Sequence, residues 1–376
     1  MSVNIEKNDE NIVINIDKIS LISAISIQNS LSQIAKTDIQ MLEKIEYYLE
    51  DDIVLSDSFE EYKKYNDELV AFIQTNPELK DYLLPVATFV SFKISFQKEN
   101  IQKILHYISS NEVHEIRNIL WEIKKSFEEQ NISWNFEESA LINQIKLRKF
   151  ILENYSNEYD EEQVGLFQWI EPKEQVAIIF EWDFDNQIVT SLLFKNISNE
   201  WLSVDESIDI VENMDNSDKD VLLKLCLWER KKGDILPYEF WHASLSFECT
   251  LDFFHYTKLR NIFPYFWVLQ KSLPVLGYDY PDFLEESEYK TIQTKFDELL
   301  TQITIFAQKI APTEKNVSFY LWSWAHLVRT TIELNPIELV EFFEYNFSEK
   351  PLKYLQQELY KEFKKLSPIF ARYIKL

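Results

Sequence analysis

Five histidines (His106, His114, His242, His255 and His326) and two cysteines (Cys226 and Cys249) bound the acid–base, nucleophilic and metal chemistry open to this chain. Two of the histidines stand in a chemically suggestive setting. Glu239-Phe240-Trp241-His242 is a Glu-x-x-His, and Asp252-Phe253-Phe254-His255 is its aspartate counterpart. On a helix that spacing puts both ligands on one face, as di-iron bundles require. Such bundles also need a second helix of the same kind facing the first, and two more carboxylates. Here the two histidines are only 13 residues apart, on one helix or its neighbour. The plainer reading is a pair of histidines packed among Phe and Trp, and no metal or cofactor is assigned.

The remaining signatures are absent. There is no phosphate-cradling or dinucleotide-binding glycine pattern, no nucleophile elbow, no zinc-protease helix and no Cys–Cys metal pair. Asp183 with Asp185, and Asp215 with Asp218 and Asp220, offer oxygen ligands at short spacing. Both sets lack the turning glycine and the distal glutamate of a calcium hand. Leu236-Pro237, Leu259-Arg260, Trp267 and Gln270 resemble landmarks in the C-terminal helices of flavin-dependent thymidylate synthases, over about 35 of 376 residues. Where that family carries asparagine, arginine, histidine and glutamine, this chain has Cys249, Leu251, Pro264 and Phe266, and the upstream arginine and serine motif is missing. The resemblance is not adopted, and no flavin is expected.

Charge gives a stronger signal. The formal net charge is −25, and residues 151–220 hold 18 acids against Lys173, Lys195 and Lys219, a net of −15. A field of that sign attracts cationic partners and repels phosphates, so neither direct nucleic-acid binding nor an anionic membrane surface is expected. The closing stretch Lys350–Leu376 reverses the sign, with seven Lys or Arg against two acids. It reads as a solvated face of amphipathic helices. Aromatic residues interleave the acids at Trp169, Trp182, Phe184 and Trp201, and aromatic anchors ringed by charge are what protein interfaces use. The two cysteines form no framework and read as cytosolic thiols. With no basic-then-apolar leader and no long apolar run, a cytoplasmic location is expected.

The elements that must position these groups read as helices. Only three glycines occur (Gly165, Gly233 and Gly277), against roughly 26 at average usage, which argues against a protein built on tight hairpins. Apolar residues recur at three and four from about Ile16 to Ser156, and helical spacing returns from about Val204 to the end. The run Leu83–Phe96 suits a buried helix or a short strand, and its length and lack of glycine favour the helix. Leu166–Ile170, Gln175–Asp183 and Gln187–Phe194 read as short strands. The expected fold is mainly α, a helical bundle or helical-repeat array with a small antiparallel β insertion near the middle. Its parts are an N-terminal helical region 1–156, an acidic β insertion 157–204 and a C-terminal helical region 205–376. Lys80-Asp81-Tyr82-Leu83-Leu84-Pro85 followed by His106-Tyr107 echoes Gly233-Asp234-Ile235-Leu236-Pro237 followed by His255-Tyr256, and duplicated helical halves would explain it.

These observations favour an acidic, non-catalytic protein that neutralises a basic partner protein, most concretely an immunity protein or antitoxin against a nuclease-like toxin. Glu161, Glu162, Asp183, Asp185, Asp205, Glu206, Asp209 and Glu212 are the candidate steering acids, with Trp182 and Trp201 as anchors. Two alternatives stay open: an all-helical enzyme with an aromatic pocket around His242, His255, Trp241 and Trp267, and a DNA mimic that occupies a nucleic-acid-binding protein.

Overall fold

The computed structural model describes residues 2–7, 10–31, 34–42, 44–49, 51–109, 114–134, 176–178, 183–196, 203–234, 236–237, 239–240, 243–264, 266–269, 276–311 and 313–375. The main elements are strands β1 (Ser2–Lys7) and β2 (Asn11–Ser20), helix α1 (Leu21–Leu31), β3 (Lys36–Met41), α2 (Phe59–Thr75), β4 (Phe89–Gln97), α3 (Ile101–Ser109) and α4 (His114–Glu129). There follow β5 (Val176–Ile178), α5 (Phe184–Asn196), α6 (Val204–Glu212), α7 (Asn216–Leu227), β6 (Leu245–Asp252), α8 (Phe253–Ile262), β7 (Phe266–Leu269), α9 (Lys290–Ile310), β8 (Leu327–Leu334), α10 (Pro336–Glu344) and α11 (Lys350–Leu366). Two compact units result: one holds 1–169, 252–254 and 272–327, the other 170–251, 255–271 and 328–376.

The expectation of a helical bundle is corrected by two four-stranded antiparallel sheets, ordered β1-β2-β4-β3 and β5-β6-β8-β7. The physical reason lies in side-chain period. In β2, Ile12, Ile14 and Ile16 are buried while Asn11, Val13 and Asn15 are not, and in β4 the buried set is Val90, Phe92, Ile94 and Phe96. Alternation of this kind buries one face of a strand; α1 and α4 pack on the strands, and α3 packs against both of those helices. The run Leu83–Phe96 therefore ends in strand β4. In the other direction, Gln187–Phe194 is not a strand but the middle of α5.

Glycine poverty misleads because these sheets make little use of hairpins. Between β2 and β4 the chain passes through α1, β3 and α2, so the crossings are helical and need no positive-φ turn. Where β2 does bend, a register shift between Ile16 and Ile19 is made by Lys18 at φ 60°, without glycine.

The strand orders reveal a duplication. β1-β2-α1-β3-α2-β4-α3-α4 is repeated as β5-β6-α8-β7-α9-β8-α10-α11, and the same hydrogen bonds recur in both copies. The N–H of Leu21 donates to the Thr88 carbonyl at 2.8 Å, as Phe253 does to His326 at 3.0 Å. The Tyr48 N–H donates to Ala87 at 2.9 Å, as Asp279 does to Ala325 at 2.8 Å. Tyr47 bridges to Thr88 and Tyr278 to His326. The Tyr47 hydroxyl meets the Lys63 carbonyl and the Asp67 carboxylate on α2, while the Tyr278 hydroxyl meets the Asp297 carbonyl and the Thr301 hydroxyl on α9. In the first unit the two copies of this bend meet at Pro85 and Ser323, where Val86 donates to Trp322 at 2.9 Å and Trp324 to Leu84 at 3.1 Å. Leu84-Pro85 thus corresponds to Trp322-Ser323 rather than to Leu236-Pro237.

The largest difference between the copies lies between their first two strands. Only residues 8–10 separate β1 from β2, whereas residues 179–244 separate β5 from β6 and contain α5, α6 and α7.

Candidate functional site

That insertion carries a cleft of about 710 Å³ between α5 and α6. Phe194, Val204, Ile208 and Val211 line it, with Asp183 and Glu212 among the acids at its walls. Val204, Ile208 and Val211 lie on one side of α6 because they are spaced by four and three. Val211 is buried, yet Phe194, Val204 and Ile208 remain exposed, an apolar set left open beside carboxylates. At the wall, Lys195 of α5 forms an ion pair with Glu239, whose side chain is almost fully buried.

α6 is held in place by its start. Ser203 accepts the Glu206 N–H at 3.2 Å, and the Glu206 carboxylate accepts the Ser203 N–H at 2.7 Å, a reciprocal cap. Those bonds hold the Glu206 carboxyl below the usual carboxylate range. Asp205, Asp209 and Glu212, at i, i+4 and i+7, form an exposed acidic stripe. Like charges at i, i+4 repel, and acids in the last turn oppose the helix dipole. α6 has no basic residue in that turn, so Asp209 and Glu212 work against the helix that carries them. Local conflicts of this kind are what functional or strained sites are expected to show.

The sequence-derived acids divide by environment. Asp183 is exposed, lines the cleft and caps α5 by accepting the Asn186 N–H at 3.1 Å. Asp185 is buried, and accepts the Ser367 hydroxyl at 2.6 Å and the N–H groups of Phe370 at 3.3 Å and Ile369 at 3.4 Å. Its burial raises the carboxyl pKa against the pull of those donors. This is a structural tie, and it takes Asp185 off the accessible surface. Replacing Asp185 with alanine leaves three donors unanswered and is expected to cost about 1–3 kcal/mol. Asp183→Asn, which keeps its acceptor, should stay within about 0.5 kcal/mol. Equal urea midpoints for the two variants would overturn the assignment.

Glu161, Glu162, Trp169, Trp182 and Trp201 lie outside the described residues, as do Trp241 and His242 of the aromatic-pocket alternative. Of that alternative, His255 is buried, and Trp267 spends its indole N–H on the Phe263 carbonyl at 2.7 Å while its ring packs edge-on against Tyr256. Among the described residues no group of three or more His, Cys, Asp or Glu could hold a metal ion. No helix there is long and apolar enough to cross a membrane. Sequence reasoning missed Phe194, Val204 and Ile208, and placed Glu239 only in a Glu-x-x-His pair. The first was concealed by the strand reading of 187–194, but the four-three spacing of Val204, Ile208 and Val211 was available.

No family model and no curated protein matches the chain. Among solved structures it is similar to crystal structures of a UMP/dUMP methylase, PolB from Streptomyces cacaoi. The form bound with 5-Br UMP is 9% identical, with a TM-score of 0.37, and the match covers 53% of this chain and 92% of that one. The form bound with 5-Br dUMP is 11% identical, with a TM-score of 0.40, and the match covers 53% and 93%. The expectation of a non-catalytic protein is not carried further, and the immunity-protein or antitoxin identity finds no support and is not retained. At such low identity and TM-score the likeness assigns no activity, substrate or residue to this chain.

Proposed function

We propose that the α5–α7 insertion is the working surface of this chain and that its acid-walled cleft captures a basic, amphipathic segment of a partner protein in the cytoplasm. One observation carries the reading: exposed Phe194, Val204 and Ile208 share the cleft with Asp183 and Glu212. Apolar side chains supply contact area on release of water, and the carboxylates orient a cationic segment and speed its approach. The duplication adds support. The first copy closes the same strand pair across residues 8–10, so the sheet does not require the insertion, and its exposed apolar groups need another explanation. The charge agrees, since residues 151–220 contribute −15 of the −25.

The test starts from a lysate of the source cell passed over the immobilised chain at low and high salt, then measures association of the purified retained protein. A basic protein should be held at low salt and released at high salt. Asp209→Lys with Glu212→Lys should slow its association about tenfold or more while leaving the urea midpoint near wild type. Association indifferent to both salt and the substitutions would overturn the reading, as would the absence of any basic protein on the column.

A further inference from the structure

A different face of the insertion points to self-association. α7 buries Lys219, Leu223 and Leu227 on one side. On the opposite side Val221, Leu225 and Trp228, at i, i+4 and i+7, are 53%, 80% and 65% exposed. The ridge residues themselves line a groove of about 720 Å³, together with Leu236, Pro237 and the charged Lys224, Glu229, Arg230 and Asp234. Ridge and groove lie on one surface, so a copy related by a two-fold axis can seat its ridge in the groove of the other, the arrangement an isologous interface requires.

Charge selects the direction. The start of α7 is acidic and exposed at Asp215 and Asp218, while toward and beyond its end the exposed Lys224, Lys231 and Lys232 outnumber the exposed Glu229 and Asp234. The Lys224 ammonium sits 4.5 Å from the centroid of the Trp228 ring, which keeps a cation at the ridge. Two copies laid antiparallel bring the acidic end of each helix to the basic end of the other, and align their dipoles favourably. A parallel pair would set acid against acid.

We propose that α7 is a homodimerisation surface, formed by antiparallel pairing of the Val221-Leu225-Trp228 ridges of two copies about a two-fold axis. The ridge is small against standard interfaces, which sets the expected dissociation constant on the order of micromolar. Nothing in this depends on the α5–α6 cleft.

Sedimentation of the full chain from roughly 1 to 100 μM, which brackets such a constant, should show a reversible monomer–dimer equilibrium. Leu225→Glu with Trp228→Ala should weaken it about 30-fold or more, as loss of a central hot spot does, with no loss of thermal stability because both side chains are exposed. Asp215→Lys with Asp218→Lys should also weaken the dimer. Adding Lys231→Glu and Lys232→Glu to that variant should restore it, which a parallel pairing or another surface would not. A monomer throughout the range, or a dimer indifferent to Leu225→Glu with Trp228→Ala, overturns the proposal.

Discussion

Arg230→Ala is expected to destabilise the chain by about 3–5 kcal/mol, because it leaves a buried carboxylate without its counter-charge. The Arg230 guanidinium grips Glu344 with two parallel bonds, Nη1 to Oε1 at 2.5 Å and Nη2 to Oε2 at 2.8 Å, and the two side chains are only 6% and 5% exposed. Glu344 also accepts the N–H of Gly233 at 3.2 Å and that of Lys375 at 3.0 Å. Burial pushes its carboxyl pKa upward, but Arg230 and the two N–H groups outweigh that and hold it below the ordinary 4.5. A depressed folded value means this contribution is present above about pH 4.5 and fades as the pH falls through the folded value.

The deletion therefore has its own pH signature. In Arg230→Ala the orphan carboxylate is relieved by protonation, so the penalty should shrink in acid. Arg230→Lys should fall between, since an ammonium cannot reproduce the two-pronged geometry. Replacing both partners by leucine and methionine of similar volume should cost far less than the single deletion, because no unpaired charge remains. Urea midpoints at pH 7 and below pH 4.5 separate these cases. A loss under about 1 kcal/mol for Arg230→Ala would show that the pair is not the anchor its geometry describes.

Parts of this architecture were legible in the sequence. The alternation Ile12, Ile14, Ile16 is a strand pattern, and Val90, Phe92, Ile94, Phe96 is a second one. Both were masked by the inference from glycine scarcity, which holds for hairpin-rich sheets and not for sheets whose strands are linked through helices. The charge concentration was fully visible, but charge does not report burial. Asp183 and Asp185 look alike in sequence, and only the fold separates a surface acid from one bonded to Ser367. α5 was hidden because Ile188, Val189 and Thr190 are β-branched, and tertiary packing overrides that weak preference.

The duplication was hard to read for a related reason. Aligning Pro85 with Ser323 pairs Ala87 with Ala325, Val90 with Val328 and Ile94 with Ile332, and most other positions across β4 and β8 differ. What the copies share is a set of backbone bonds and a burial alternation, neither of which fixes residue identity. At Thr88 and His326 the same backbone role is filled by side chains of different chemistry, so one copy gains a titratable group where the other has none.

That asymmetry leads to the second large effect, a loss of stability in mild acid that depends on His326. The imidazole is fully buried. Nδ1 accepts the Ser323 N–H at 2.9 Å, which leaves Nε2 to donate to the Thr304 hydroxyl at 3.1 Å, and that hydroxyl donates to the Leu300 carbonyl at 2.7 Å. Both ring nitrogens are committed in the neutral form, and a proton on Nδ1 would oppose the Ser323 N–H. Burial lowers the pKa from 6.5 to about 4. Above pH 6.5 the full stability is present; as the pH falls toward 4 the unfolded chain binds a proton that the folded chain refuses, and stability drops by about 3 kcal/mol. His326→Thr installs the residue that the first copy uses at Thr88. It should lower stability at pH 7, where a cavity replaces the ring, and should flatten the pH dependence. Between pH 7 and 4.5 the gap between wild type and His326→Thr in urea unfolding should narrow by about 2–3 kcal/mol. The carboxylates common to both proteins cancel in that difference. An unchanged gap would show that His326 takes up its proton in the folded chain, and the tautomer deduced from Ser323 and Thr304 would be wrong. If the gap narrows, the weak point in acid is the bend where Pro85 meets Ser323, because the His326 carbonyl also receives the Phe253 N–H there.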